Sequence, residues 1–91
     1  MNYTDEQLKR ALAKMLPTMV YMNINGGSMY HRLDGKPQPV LDTELLHLCW
    51  LVEKTLSLHE RFECYEILES LIWATWQQRV AALAEVKEIE I

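Results

Sequence analysis

A chain of 91 residues, 49% hydrophobic and 24% charged, is long enough for one globular domain over residues 1–91 and too short for two independent cores. Its net charge of −4 and pI near 5.3 argue against a general affinity for phosphate backbones. The charge is unevenly placed: residues 1–39 carry five Lys and Arg against three acids (net +2), and residues 40–91 carry four against ten (net −6).

The first element is a helix. Thr4 is placed to cap it, Gln7 completes a capping box, and Tyr3 and Leu8 occupy the two positions of a hydrophobic staple. Leu8, Ala11, Leu12, Met15 and Leu16 recur at helical spacing on one face, with Lys9, Arg10 and Lys14 elsewhere. Pro17 ends the helix, because the residue before proline is pushed out of the helical region. Thr18–Met22 is short and β-favouring, and Asn25-Gly26-Gly27 supplies the positive φ angles of a tight reversal. Ser28–Leu33 reads as the return strand, Asp34-Gly35 as a second turn, and Lys36–Pro39 as an extended connector. An irregular loop is the competing reading of residues 18–33.

No glycine or proline follows Pro39, so the rest is free to run as nearly unbroken helix. Asp42 or Thr43 is expected to cap a second helix reaching about Leu56, with Leu45, Leu48, Cys49, Val52 and Leu56 as its main stripe. Leu46, Trp50 and Leu51 fall outside that stripe, leaving chiefly His47, Glu53 and Lys54 for water. A helix apolar over most of its circumference is central in a fold or half-buried in an interface; for so small a domain the expectation is central. Ser57-Leu58-His59-Glu60 is a further capping box. Beyond it Leu58, Phe62, Tyr65, Leu68, Ile72, Trp76, Val80, Leu83 and Val86 share one arc of a single helical wheel. One helix of that extent spans about 43 Å, against a radius of gyration near 12 Å for a compact chain of this length. A break is therefore expected around Ser70–Thr75. Lys87–Ile91 alternates like a strand and reads equally as a frayed end.

The fold class that follows is mainly α: three or four helices with a short β-hairpin or irregular insert after the first. The alternative is a layered α+β domain in which Phe62–Leu68 or the carboxyl tail adds a strand. Cys49 and Cys64 lack CxxC spacing and read as buried, reduced thiols of a cytoplasmic protein. Met1–Arg10 is polar and does not read as a signal peptide, and the apolar stretch Leu45–Val52 is too short to span a bilayer.

Three blocks look familiar together: Tyr3–Leu8 through Met15-Leu16-Pro17, Asp42–Glu53, and Trp76–Ala84. They resemble small uncharacterised proteins of lambdoid phages and prophages of enteric bacteria. The resemblance implies a phage origin and a bacterial cytoplasmic setting, and brings no catalytic residues with it. By analogy, small phage proteins of this kind often bind and inhibit a host protein.

Chemistry-bearing residues are sparse. His31 with Asp34 forms a candidate acid–base pair, although both read equally as polar residues at a strand end and turn. His47 and Cys49 are two apart on a helix and point to different sides, so they do not pair as metal ligands. His59 and Glu63 have i, i+4 spacing, but two ligands do not make a metal site. Nucleophile motifs, phosphate-cradling loops and zinc spacings are absent, so neither catalytic residues nor a cofactor are expected. Lys9, Arg10, Lys14, Arg32 and Lys36 are candidates for a small DNA-binding patch, or simply solubilising charge.

Glu60, Glu63 and Glu66 project successively from one helix and are able to enter a basic groove, or to serve as a solvated face. Trp73 and Trp76 are spaced as neighbours; the three tryptophans read first as core residues, with Trp50, off its stripe, the candidate to face a partner. The sequence thus points to a non-enzymatic accessory protein that binds a bacterial host protein through apolar and acidic helix surfaces, with Trp50, Glu60, Glu63 and Glu66 at the contact. A homodimer is a further option, and no membrane partner is expected. The alternatives are a small DNA-binding regulator using the basic patch and a metal enzyme or hydrolase built on His31, Asp34 or His59.

Overall fold

The Thr4 signal does what its chemistry requires. The Gln7 amide donates to Thr4 Oγ1 at 3.1 Å and the Thr4 amide to Gln7 Oε1 at 2.9 Å, opening helix α1 (Asp5–Met15). The computed structural model describes residues 3–22, 28–31, 38–68 and 73–91. Strands β1 (Met19–Met22) and β2 (Ser28–His31) pair antiparallel with Met19 opposite His31 and Met22 opposite Ser28, so the hairpin reading holds. The Asn25–Gly27 reversal and the Asp34-Gly35 turn lie outside the described residues. The end of the connector is more than a spacer. Gln38-Pro39 forms a third strand, β3, opposite Tyr30 and His31, and the Val40 amide donates to the Met29 carbonyl at 2.9 Å. Proline fits here because β3 is an edge strand and needs no donor on its outer side.

Neither Asp42 nor Thr43 caps the second helix by its side chain. Asp42–Glu44 instead winds as a 3-10 turn, closed by the Leu41 amide donating to Glu44 Oε2 at 2.7 Å, and α2 (Leu45–Glu53) follows directly. The helix stops short of Leu56, tightening through Thr55 and Leu56 amides that reach carbonyls three residues back. The Ser57–Glu60 box then forms with reciprocal bonds of 3.0 and 3.2 Å and starts α3 (Leu58–Leu68).

The expected break is present. Helix α4 (Trp76–Val86) begins afresh at Thr75, whose hydroxyl accepts from the Gln78 amide at 3.2 Å while Gln78 Oε1 accepts from the Thr75 amide at 2.9 Å. The fold is therefore mainly α with a small three-stranded antiparallel sheet, and neither proposed extra strand exists: Phe62–Leu68 is helical and the tail does not pair. The tail is not frayed either. The Ile89 amide reaches the Ala84 carbonyl at 2.8 Å and the Glu88 amide the Glu85 carbonyl at 3.2 Å, a Schellman stop with Glu88 at φ 56°. Ile91 then packs against the core.

The helix at the centre is α4, not α2 as expected. It packs against α1, α2 and α3, with Val80, Ala82, Leu83 and Ala84 buried, while α1 carries the sheet on its other side. Alanines allow that close approach from several directions. The core also takes Leu8, Ala11 and Leu12 from α1, Met19 and Met29 from the sheet, and all five residues of the α2 stripe. The radius of gyration is 12.9 Å.

Candidate functional site

Helix α2 is the most apolar helix of the fold, yet one side of it is uncovered. Its stripe faces α4, and on the opposite side Leu46 and Trp50, one turn apart, stand about half exposed, Trp50 at 50%. Within this chain α2 is therefore half-buried. Two neighbours contact Trp50: the His47 ring centroid lies 5.7 Å away and Lys54 Nζ lies 4.2 Å over the indole. A cation over an indole face steadies the ring while its edge stays available.

Helix α3 departs furthest from the sequence expectation. The shared arc would bury Leu58 and Phe62, but they are 68% and 59% exposed, and Cys64 is the residue α3 buries fully. The arc fails because the break before Thr75 resets the helical phase: Val80 and Leu83 keep the core and Leu68 packs against it, but Leu58 and Phe62 do not follow. Ile72 lies outside the described residues. Trp73 precedes the Thr75 cap, so it is no helical neighbour of Trp76; it is 82% exposed, whereas Trp76 packs on the core.

The glutamates of α3 differ in what they do. Glu60 is committed to the Ser57 cap, and the bonds from the Ser57 amide and hydroxyl hold its carboxyl below the ordinary range. Glu63 accepts from His59 Nε2 at 2.9 Å, an exposed contact between two residues whose i, i+4 spacing puts them on one helix face. Glu66 is exposed. Two of the three members of the row thus have local roles.

A buried polar node ties α2 and α3 to α4 beneath these faces. Glu53, expected to face water, is 8% exposed, and its Oε1 takes Arg79 Nη1 at 3.1 Å; Arg61 Nη2 donates to the Glu53 carbonyl at 3.5 Å. Helix α2 turns Glu53 inward because α4, the central helix, offers a guanidinium there. Nearby, Cys49 and Cys64 are buried free thiols. Burial first, and then the Glu53 charge, raise Cys49 to about 12 and Cys64 to about 11, which makes both inert as nucleophiles near neutrality.

The described members of the basic patch each have a partner. Lys9 pairs with Asp42 at 3.2 Å, Arg10 with Glu6 at 3.4 Å while lying 4.9 Å over the Tyr21 ring, and Lys14 Nζ meets the Glu90 carbonyl at 3.4 Å. Arg32, Asp34 and Lys36 lie outside the described residues. For His31 the backbone register is defined, opposite Met19 and Gln38. Among the described residues, no group of three or more His, Cys, Asp or Glu is arranged to hold a metal ion, and no helix is long and apolar enough to cross a membrane. Between α1, α3 and α4 lies an open apolar depression of about 320 Å³ lined by Tyr3, Leu8, Ile67 and Ala81 among others. Tyr3 and Leu8, the staple residues, meet there.

No protein family, curated protein or solved structure matches this chain.

Sequence reasoning singled out Trp50 as the tryptophan off its stripe, a candidate only, and missed Leu58 and Phe62. The signal that one unbroken arc could not hold was present. Thr75-Trp76-Gln77-Gln78 repeats the form of Thr4-Asp5-Glu6-Gln7, and a cap there forbids carrying the phase of α4 back into α3.

Proposed function

We propose that this chain is a non-enzymatic binding module that engages a protein partner through the outward sides of α2 and α3. The observation that carries the reading is Trp50: half exposed, steadied by His47 and Lys54, on a helix whose other side is already committed to α4. Tryptophan in such a position is the residue type most enriched at energetic centres of interfaces. Exposed apolar groups recur on α3, and the two helices join at a corner fixed by Arg61 and Glu53.

The resemblance to lambdoid phage and prophage proteins gives this reading its setting: the partner is a host protein of an enteric bacterium, and binding occludes that partner's working surface. The alternative DNA-binding reading is less favoured, because Lys9, Arg10 and Lys14 are already engaged by Asp42, Glu6 and the Glu90 carbonyl.

The test is capture of tagged protein from a nuclease-treated enteric bacterial lysate, with Trp50→Ala in parallel. The reading expects one stoichiometric host protein, retained by the wild type and lost from a variant whose circular dichroism is unchanged. A host protein held equally by both would remove Trp50 from the contact. DNA retained when nuclease is omitted, and released by neutralising Lys9, Arg10 and Lys14, would favour the regulator instead.

A further inference from the structure

Resting on the protein-binding reading above, we infer that the outward face of α3 receives a cationic amphipathic helix of the partner protein, rather than a second copy of this chain. Leu58 and Phe62 stand one turn apart as exposed knobs, and Glu66 continues the same line one turn further on. Glu63 flanks that line on the Glu66 side, while Glu60 lies round the helix at the Ser57 cap. The one cation of α3 that would offset these carboxylates, Arg61, is turned inward to the Glu53 carbonyl. What α3 presents outward is therefore an apolar pair bordered on one side by Glu66 and Glu63, with His59 already held by Glu63.

Charge decides the occupant. A symmetric dimer uses the same patch on both subunits, so pairing through this face would set Glu63 and Glu66 against their own copies. Like charges across a contact act against association, and opposite charges steer it. A partner helix with apolar residues at i, i+3, i+4 and i+7 and Lys or Arg along the edges matches both parts of the face.

The probe is a fluorescein-labelled peptide of leucine and lysine with leucines at that spacing, compared by anisotropy with a peptide in which every lysine is glutamate. The full-length chain is expected to bind the lysine peptide saturably and to weaken as salt rises. Phe62→Ser should weaken binding about tenfold or more, and Glu63→Lys with Glu66→Lys should do likewise, while Trp73→Ser leaves it unchanged. Equal binding of both peptides, or Phe62→Ser binding as tightly as wild type, would overturn the inference. So would a wild-type dimer in sedimentation that Phe62→Ser dissociates, since a second copy would then cover the face. The lysate capture separates this inference from the reading beneath it. A host protein lost with Trp50→Ala but kept by Phe62→Ser leaves protein binding standing and removes α3 from the contact.

Discussion

Replacing Arg79 by methionine removes the guanidinium from Glu53 without opening a large void. The pair is 3.1 Å apart with side chains 18% and 10% exposed, so the carboxylate would be left in a largely dehydrated place. Breaking a buried pair from one side costs about 3–5 kcal/mol. The whole stability of a domain this size is about 5–14 kcal/mol. At about 4–8 °C per kcal/mol, Arg79→Met should lower the melting temperature by at least about 12 °C. The double variant Glu53→Leu/Arg79→Met removes both charges and should recover most of that loss, ending within about 1 kcal/mol of wild type. Chemical denaturation followed by far-ultraviolet circular dichroism measures all four corners of the cycle. A cost below about 1 kcal/mol for Arg79→Met, or a double variant as unstable as the two single costs added together, would refute the claim that this pair is a buried tie between α2 and α4.

Three further outcomes follow from the geometry. Glu88 occupies the left-handed region at φ 56°, so Glu88→Gly should raise stability by about 0.5–1 kcal/mol, read from the same denaturation curves. Glu60 is held below the ordinary carboxylate range by the Ser57 cap; its contribution is present above its unfolded pKa and is lost as pH falls through the folded one. Glu60→Gln keeps a capping group without the titration, so acid unfolding of the variant should be less steep than that of wild type in that window. Cys49 and Cys64 are raised by burial from 9.0 to about 12 and about 11, so their neutral forms favour the fold up to the unfolded thiol pKa, and that advantage is lost as pH rises through the folded values. Both thiols should resist a maleimide at neutral pH in the native protein and react promptly in denaturant.

Much of the fold was legible because its signals are local. The Thr4–Gln7 and Ser57–Glu60 boxes, the stop before Pro17 and the five-residue stripe of α2 each depend on neighbours within one or two turns, and each appears as read. The misreadings involve partners distant in sequence. Glu53 looked like a solvent residue because Arg79, which takes it inward, is 26 positions away. Gln38-Pro39 looked like a spacer because pairing with Tyr30 and His31 is a property of the sheet, not of the dipeptide. Leu58 and Phe62 were assigned to a core arc by a phase that Thr75 interrupts. On the candidate site, Trp50 was legible from its angle to the stripe. The α3 knobs were not, since only the packing of α4 shows which side of α3 remains open.

Hydroxyl-radical footprinting of the complex with the captured host protein reads side-chain cover at the residues proposed to make the contact. Trp50 and Phe62 should react in the isolated protein and be protected in the complex, while Trp73, 82% exposed, reacts in both. Undiminished oxidation of Trp50 and Phe62 in a saturated complex would contradict the account and place the contact elsewhere.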